Sequence, residues 1–416
     1  MKFIHTADIH LDSPLRGLAR YEGAPVEQMQ SATRRSFLNL IELACRERVD
    51  FVLLVGDLYD VDWKDYNTGL FFNQQMSRLR EANIPVFMVL GNHDAGNTIT
   101  RQLRLPDNVT EFSYQKPETQ ILEHLGVAIH GQSFANKAIT DDLSTTYPNA
   151  LPGYFNIGLL HTSLNGRAGH DNYAPCTLPG LLSHGYDYWA LGHVHKREIL
   201  HEKPWIVFSG NLQGRHARET GPKGCTLVKV ENRHTTLKFV PMDVLRWKIC
   251  RLDMSDVTVA DEVLERTRWA VTQAMQTAED KPLAMRFVIE GVCPVHNELH
   301  SDSERWLNEI RAIATDTGLG NVWVEKIKLN THALNTNLVQ DEGPLDVLLN
   351  FLRSLPQDGT GLQNLTSELR SLRNALPVEA RQMEKGGGVD PGNPDTVCNL
   401  LNGVEELLMA RLLAQE

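Results

Sequence analysis

The N-terminal part of the chain alternates between short apolar runs and longer amphipathic segments. The apolar runs at 2–10, 51–56 and 85–90 have the length and continuity of buried strands. Between them, residues 26–48 and 66–82 place apolar side chains at helical spacing. Buried strands that alternate with amphipathic helices are typical of a parallel or mixed sheet covered by helices. The pattern therefore predicts an α/β fold for this region.

The predicted order of strands and helices changes twice further along the chain. From about residue 108 to 246 helices become rare, and strand-like runs follow one another at 127–130, 156–160, 187–191, 205–209, 225–230 and 235–240. Beyond residue 246 the pattern predicts strands at 247–252, 285–290 and 322–329, with helices at 259–277 and 303–317. A leucine-rich helical pattern begins near residue 341. We therefore predict a main domain at 1–245, a smaller α+β domain at 246–335 and a helical C-terminal region at 336–416.

Polar side chains follow the carboxyl ends of several predicted strands. Asp8 and His10, Asp57, Asn92 with His93 and Asp94, His161, and finally His193 with His195 occupy these positions. In α/β sheets the carboxyl ends of strands are where ligands bind. Side chains two residues apart on a strand point to the same face, so His193 and His195 project together. The repeated strand endings predict one shared ligand site.

Seven of these side chains are potential metal ligands: Asp8, His10, Asp57, Asn92, His161, His193 and His195. This number is too large for one tetrahedral zinc ion, which takes four ligands. It suits two divalent ions that share one bridging carboxylate. Nitrogen and oxygen donors without a thiolate favour Mn²⁺, Fe²⁺ or Zn²⁺ over Mg²⁺ or Cu⁺. Two ions about 3.5–4 Å apart are a common device for phosphoester hydrolysis.

The order of these motifs resembles the calcineurin-like metallophosphoesterases. The motifs are Asp-x-His, Gly-Asp-Leu-Tyr-Asp, Gly-Asn-His-Asp, a lone His after a strand, and Gly-His-x-His. The resemblance implies a β-sandwich of two mixed sheets flanked by helices. It implies one metal ion on Asp8, His10, Asp57 and His195, and a second on Asp57, Asn92, His161 and His193, with Asp57 bridging. By the same resemblance, His93 faces the substrate as an acid or transition-state stabiliser, and Asp94 orients its imidazole.

The opening segment 5–12 and the appended α+β unit resemble, more narrowly, the SbcD/Mre-type DNA double-strand-break nucleases, and within them the bacterial YhaO group. This resemblance implies two divalent ions per chain, with Mn²⁺ expected, and DNA as the substrate. It also implies an SbcC-like coiled-coil ATPase as partner, and it is compatible with a homodimer. The chain departs from the family at Asp12, where Gly is frequent, and at Asp60, where some members have a second catalytic His. The second departure leaves the balance of exonuclease and endonuclease activity open.

Basic residues that could contact DNA are few. The Gly-rich segment 213–223 contains Arg215 and Arg218, which we expect to contact phosphates, although a solvated turn is the alternative. Arg167, close to His170, is a weaker candidate. Residues 1–250 hold 26 Lys/Arg and 26 Asp/Glu, and the remainder holds 15 and 26, which gives −11 there. The acidic C-terminal part is therefore unsuited to bind DNA, and we expect a partner to supply affinity.

The C-terminal region carries two apolar helical faces. Leu362, Leu365, Leu369, Leu372 and Leu376 form a short a/d seam, and a second face contains Val397, Leu400, Leu401, Val404, Leu407 and Leu408. The first seam spans fewer heptads than a coiled coil requires. The family resemblance implies that such helices clasp the coiled-coil root of the ATPase. The alternative is that they pack on their own domain.

Three further features bound the class of protein. No apolar run approaches the roughly 20 residues that span a bilayer, and the N-terminus lacks the apolar core of a signal peptide. The six cysteines are scattered without a Cys-x-x-Cys pair, so we expect a reduced cytoplasm. Two other functions stay open: a phosphodiesterase of nucleotides or other small phosphoesters, and a scaffold whose metal core supports partner binding. The intact ligand set argues against the scaffold.

Overall fold

The computed structural model describes residues 1–13, 31–60, 66–95, 104–165, 173–232, 234–334, 344–355 and 359–369, with isolated positions between 371 and 404. The chain divides into two compact units. The first contains Met1–Ile249, Gln273–Arg286 and Gly318–Lys326. The second contains Cys250–Thr272, Phe287–Thr317 and Ile327–Glu416. The domain boundaries at 245 and 335 stay a prediction, and the two units do not divide at those residues.

One six-stranded mixed sheet contains the N-terminal strands. These are β1 (Lys2–Thr6), β2 (Phe51–Val55), β3 (Val86–Val89), β4 (Val109–Glu111), β11 (Gly224–Glu231) and β12 (His234–Pro241). Their order is β12-β11-β1-β2-β3-β4. The strands from β1 to β4 are parallel, and β11 and β12 add an antiparallel edge. The connections carry helices α1 (Ala32–Glu47), α2 (Tyr66–Glu81) and the short α3 (Asn92–Ala95).

A second six-stranded mixed sheet is built from the middle of the chain. It contains β5 (Glu118–Leu122), β6 (Val127–Gly131), β7 (Phe155–His161), β8 (Tyr188–Gly192), β9 (Glu198–Glu202) and β10 (Trp205–Phe208). The order is β5-β6-β7-β8-β10-β9, in which the four central strands are parallel and both edges are antiparallel. Helix α4 (Leu178–Ser183) and the 3₁₀ turns Glu123–Leu125 and Leu143–Thr146 lie in its connections.

The two sheets share one apolar core. The facing side chains form a single buried cluster of Phe3, Phe51, Leu53, Phe87, Ile129, Ile157, Leu159, Tyr188 and Val207. The opposite face of the first sheet packs on α1 and α2 through Ile4, Val52, Met88, Phe37, Phe72 and Met76. Strands covered on both faces are apolar along their whole length, which explains the continuous runs in the sequence. The predicted fold of two mixed sheets flanked by helices is confirmed.

The remaining elements form a third sheet with helices. Strands β13 (Arg246–Asp253), β14 (Leu283–Cys293) and β15 (Val322–Ala333) pair in the order β13-β14-β15. The helices are α5 (Glu262–Gln276), α6 (His296–Ser301), α7 (Ser303–Thr317), α8 (Pro344–Ser354) and α9 (Gly359–Glu368). No described helix combines the length and apolar character of a bilayer span.

The structure differs from the predicted elements in ways that have physical causes. The first strand ends at Thr6 rather than at residue 10, because Asp8 and His10 take left-handed backbone angles. The sequence pattern missed β4, β5 and β9, which are short edge strands that alternate or mix polar residues. Of the leucine seam, Leu362 and Leu365 lie half-buried in α9. Leu372 and Leu376 lie outside the described residues, as do Leu400, Leu407 and Leu408 of the second apolar face.

His5 is a buried histidine on β1. Its Nδ1 atom lies 2.9 Å from the Tyr188 hydroxyl, and its Nε2–H donates to the Leu191 carbonyl oxygen over 3.2 Å. The neutral ring satisfies both partners, because Nδ1 can accept from the hydroxyl. Burial lowers the pKa of His5 from 6.5 to about 3. The folded protein therefore holds this ring uncharged through the mildly acidic range.

We predict that His5 contributes to acid sensitivity of the fold. The unfolded chain binds a proton here below pH 6.5, whereas the folded ring stays neutral down to about pH 3. The contribution is complete above pH 6.5 and falls by about 1.4 kcal/mol per unit as the pH decreases. His5→Gln, which keeps a donor and an acceptor, should lose stability less steeply between pH 6.5 and about 5 in urea unfolding. The exposed His124→Gln control should keep the wild-type slope, and a parallel slope for His5→Gln would contradict the prediction.

Candidate metal centre

The polar strand endings meet at one edge of the sandwich. Asp8 and His10 follow β1, Asp57 follows β2, and Asn92 begins α3 after β3. From the second sheet, His161 is the last residue of β7, and His193 and His195 follow β8. Parallel strands present their carboxyl ends at the same edge, so both sheets contribute to one place. The structure brings all seven predicted ligands together there, within the first compact unit.

The loops that carry these side chains bend through unusual backbone angles. The φ values are 51° at Asp8, 46° at His10, 51° at Asp57 and 96° at His193. Residues other than Gly rarely adopt these left-handed backbone angles, and such backbone strain is concentrated at functional sites. Hydrogen bonds hold the bends: the His193 N–H donates to both Asp8 carboxylate oxygens at 3.0 Å, and the His10 N–H donates to the Asp57 carbonyl at 3.0 Å. The bends aim consecutive polar residues at one point.

The first group of donor atoms comes from Asp8, His10 and His195, all within 4.8 Å of one another. The Nε2 atoms of His10 and His195 face each other at 3.2 Å. The His195 Nε2 atom is 3.9 Å from Asp8 Oδ1, and His10 Nε2 is 3.8 Å from Asp57 Oδ2. Converging imidazole nitrogens beside two carboxylates suit a cation.

The second group contains Asp57, His161 and His193, again within 4.8 Å. Asn92 joins them, because its Oδ1 atom lies 3.0 Å from His161 Nε2 and 3.3 Å from His193 Nδ1. Asp57 Oδ2 lies 3.5 Å from His161 Nε2 and also faces His10 of the first group. One carboxylate oxygen therefore lies between both groups.

Hydrogen bonds fix which nitrogen of two histidines faces the groups. His161 donates its Nδ1–H to the Val55 carbonyl over 3.1 Å, and His195 donates its Nδ1–H to Glu219 Oε1 over 2.6 Å. Because each Nδ1–H is directed away from the site, each Nε2 faces the site, where a cation can take the place of a proton. This is the arrangement in which imidazole binds metal ions in proteins.

The electrostatics of the site also fit divalent cations. Burial raises the pKa of Asp8 to about 7. Burial lowers the pKa of His161, but the Asp57 and Asp8 carboxylates together raise it to about 9. Burial raises the pKa of Asp57, but the neighbouring histidines hold it well below its ordinary value. Buried carboxylates need compensating charge. A divalent ion in each donor group would supply that charge, and the donor set fits such ions.

His93 lies at the open side of the same cluster. Its side chain is 26% exposed, whereas those of His10 and His161 are fully buried. The Nδ1 atom is 3.1 Å from Asp60 Oδ1, and Nε2 is 3.9 Å from Asp57 Oδ2. The His93 backbone N–H donates to Asp57 Oδ1 over 2.9 Å. His93 therefore reaches the site and remains accessible from outside.

The role that the resemblance gave to Asp94 is wrong. The buried Asp94 carboxylate accepts backbone N–H groups of Leu58 at 3.2 Å, Tyr59 at 3.0 Å and Gly91 at 3.0 Å. It joins the loops after β2 and β3 and does not orient His93. Adjacent residues on a helix do not face each other, so the side chains of His93 and Asp94 on α3 diverge. The carboxylate beside the imidazole belongs to Asp60 instead.

Sequence comparison agrees with this geometry. Residues 1–197 match the family described as calcineurin-like phosphoesterase, and residues 247–332 match the family described as metallophosphoesterase YhaO, middle domain. The chain is 34% identical to the uncharacterized metallophosphoesterase YhaO of Bacillus subtilis (strain 168), over 71% of this chain and 72% of that one. The chain belongs to the calcineurin-like metallophosphoesterases. Membership of this family implies metal-dependent phosphoester hydrolysis, and the predicted resemblance is confirmed.

Two more distant relatives of this metallophosphoesterase have names that refer to nucleic acid. One subunit of the nuclease SbcCD, from Staphylococcus saprophyticus subsp. saprophyticus, is 26% identical, over 64% of this chain and 74% of its own. The DNA double-strand break repair protein Mre11 of Saccharolobus solfataricus is 23% identical, over 70% of this chain and 75% of its own. These matches extend beyond the metal centre into the C-terminal half.

The basic residues predicted to contact DNA differ in position. The Arg215 guanidinium reaches the site: its nitrogens lie 3.5 Å from Asp60 Oδ2, 3.4 Å from Ser13 Oγ and 3.4 Å from His195 Nδ1. Arg218 is exposed, and the structure shows no site contact for it among the described interactions. Arg167 lies outside the described residues. The DNA contacts of all three stay a prediction.

Sequence reasoning assigned no role at the site to three residues around it. Asp60 faces His93, and Glu219 accepts a hydrogen bond from the Nδ1–H of His195. Asp12, which replaces a frequent Gly, keeps the left-handed φ of 59° and forms a two-pronged ion pair with Arg34 at 2.6 and 2.5 Å. The Thr68 hydroxyl also donates to Asp12. For two of these residues the sequence does contain a signal. Asp60 is an acidic residue close to the predicted ligand Asp57, and Glu219 is an acidic residue next to Arg218, a predicted DNA contact.

We predict that substitutions of Asp60 and Asp94 have different effects on activity, metal content and stability. Asp60→Asn should lower hydrolysis of a small chromogenic phosphodiester by roughly 10²-fold, because His93 loses its carboxylate partner, and metal content should persist. Asp94→Asn should instead lower the thermal midpoint and the metal content. Its amide nitrogen would replace an oxygen that accepts backbone hydrogen bonds and would face N–H donors. Equal losses of metal in both variants would contradict the separate roles.

Proposed function

We propose that this metallophosphoesterase is a two-metal phosphodiester hydrolase that acts on DNA. The observation that carries the proposal is the Asp57 carboxylate, whose Oδ2 lies 3.5 Å from His161 Nε2 and 3.8 Å from His10 Nε2. One carboxylate in contact with two donor groups is the arrangement that two neighbouring ions require. The nuclease and DNA-repair names of the relatives support DNA as the substrate.

In this proposal Asp8, His10, Asp57 and His195 hold one ion, and Asp57, Asn92, His161 and His193 hold the other. The donors are imidazole nitrogens and carboxylate or amide oxygens, without a thiolate, and we propose Mn²⁺ for both positions. When bound, a pair of divalent ions stabilises the negative charge that develops on the phosphodiester during displacement.

His93 is the proposed acid or transition-state stabiliser. Burial lowers the pKa of His93, but the Asp60 hydrogen bond and the Asp57 and Asp60 charges raise it above its ordinary value. The ring therefore favours the protonated form, with Nδ1–H towards Asp60 and Nε2–H towards the substrate. From there it can donate a hydrogen bond to a phosphate oxygen or a proton to the leaving oxygen.

Arg215 is the proposed phosphate contact nearest to the metal centre. Its side chain is 15% exposed and lies next to Asp60 and His195. A guanidinium at this place can reach a phosphate oxygen of a nucleotide bound at the site. Arg218, on the exposed side of the same segment, and Arg167 are proposed to contact phosphates further along the strand.

The proposed partner is an SbcC-like coiled-coil ATPase bound through the C-terminal helices. On α8, Val347 is 69% exposed and Phe351 is 57% exposed, one helical turn apart. An apolar pair on one face suits a helical partner. The name of the SbcCD relative supports this assignment, because it describes that protein as one subunit of a nuclease.

A phosphodiesterase of nucleotides or other small phosphoesters is the second candidate. The observation that favours it is the charge of residues 1–250, where acidic and basic side chains are equal in number at 26 each. A protein that binds DNA alone usually has a net basic surface. The two candidates share the metal centre and differ in what must be bound beyond the reacting phosphate.

The function is tested by comparing substrates. The Mn²⁺-loaded chain should hydrolyse bis(p-nitrophenyl) phosphate. In the presence of its ATPase partner it should also degrade linear duplex DNA. His93→Ala should keep its metal and lose about 10²–10⁴-fold on both substrates, the usual scale for a general acid. Asp57→Asn should lose metal, because an amide bridges two cations poorly. The exposed Asp107→Asn control should match wild type. Hydrolysis of the small ester without any activity on DNA would favour the second candidate.

The partner surface has its own test. The double variant Val347→Asp/Phe351→Asp should weaken capture of the ATPase in a pull-down at least tenfold, because charges replace the apolar contact. Hydrolysis of the small phosphodiester should stay at the wild-type level. Val259→Asp, at a residue that is also exposed (57%) in the second unit, is the matched control. Unchanged capture by the double variant would place the interface elsewhere.

A further inference from the structure

The carboxylate of Glu219 accepts hydrogen bonds on both of its oxygens and lies next to the proposed ligand His195. Its Oε1 atom accepts the Nδ1–H of His195 at 2.6 Å. Its Oε2 atom accepts the Arg215 backbone N–H at 2.7 Å and the Asn211 side-chain amide at 2.9 Å. The side chain is 7% exposed. Both oxygens therefore have fixed partners, and only one of these is a proposed metal ligand.

The segment that carries Glu219 is anchored at several points. The Trp247 indole N–H donates to the Gly214 carbonyl at 2.8 Å, and the Gln213 amide donates to the Leu245 carbonyl at 2.7 Å. At the far end, the Lys223 ammonium donates to the His195 carbonyl at 2.8 Å. The segment thus holds both the backbone and the ring of His195. A solvated turn, the alternative considered from the sequence, would not have these buried contacts.

We propose that Glu219 is a positioning residue of the metal centre, which fixes the His195 ring with its Nε2 lone pair towards the first ion. The inference rests on the proposed metal site and adds to it the residue that selects the tautomer. A carboxylate behind a ligating imidazole raises its basicity and sets its orientation, and its loss costs about 10–100-fold in metal affinity. On this view, Glu219 belongs first to the metal site, and the segment 213–223 that carries it contacts DNA only secondly.

The geometry decides which variants are informative. Glu219→Gln is not a conservative change, because its amide nitrogen would face either His195 Nδ1–H or the two N–H donors on the other oxygen. Glu219→Ala removes the carboxylate outright. Gln213→Ala removes the side-chain hydrogen bonds that anchor the same segment to the backbone of Val244 and Leu245, but it leaves the hydrogen-bond partners of Glu219 in place. It therefore reports the cost of disturbing the segment alone. Glu231→Gln, where the side chain is 64% exposed and pairs with Lys229, is a surface control.

The first readout is Mn²⁺ affinity, measured by competition with a chelator. Glu219→Ala should bind one of two Mn²⁺ ions about 10–100-fold more weakly, with the other little changed. Gln213→Ala and Glu231→Gln should stay within about threefold of wild type. Equal weakening in Glu219→Ala and Gln213→Ala would show that the segment acts only as a structural support, and the inference would be wrong.

The second readout does not need metal or activity. In ¹⁵N-histidine NMR spectra, the metal-free wild-type His195 ring should be protonated at Nδ1, with its signals identified by their absence from His195→Gln. Glu219→Ala should show both tautomers or a shift to Nε2–H. An unchanged Nδ1–H tautomer would overturn the inference, even if the variant bound metal weakly. A wild-type chain that binds no Mn²⁺ would instead refute the proposed metal centre, and the affinity part of this inference with it.

Discussion

The burial of the Asp57 carboxylate at the joint edge of two sheets is the constraint on which the rest of the site depends. Asp57 is only 1% exposed, so the charge of its carboxylate must be compensated by neighbours from both sheets. The His93 backbone N–H, His161 and His10 surround it. Close approach makes side chains impossible at two positions: a Cβ on Gly192 would overlap the Val55 carbonyl oxygen, and one on Gly91 would overlap the Asp57 carboxylate.

The fold supplies this arrangement through strand direction. Because the central strands of each sheet are parallel, their carboxyl ends collect polar residues from distant parts of the sequence at one edge. The left-handed bends at Asp8, His10 and His193 then turn those side chains inwards. The strands that end at this edge are buried in the apolar core between the sheets. The candidate ligands therefore lie on short loops that follow closely packed strands.

The sequence predicted the fold, and it predicted that seven polar side chains would meet at one edge, because both features leave strong local signals. Continuous apolar runs marked the buried strands, and Asp, Asn or His at their ends marked the site. Partners chosen by tertiary geometry left weaker signals. The pairing of His93 with Asp60 depends on how α3 turns after β3, which the motif Gly-Asn-His-Asp does not reveal. Glu219 lies in a segment that we had interpreted as a phosphate contact because of its basic residues. The edge strands β4, β5 and β9 lack the continuous apolar pattern of buried strands.

The central claim is that one carboxylate joins two metal ions, and electron paramagnetic resonance measures this directly. The chain loaded with two equivalents of Mn²⁺ should give an exchange-coupled spectrum, because ions about 3.5–4 Å apart that share Asp57 interact magnetically. In Asp57→Asn that coupling should disappear. Two equivalents of bound Mn²⁺ that gave only the signal of isolated ions in the wild-type chain would contradict the account.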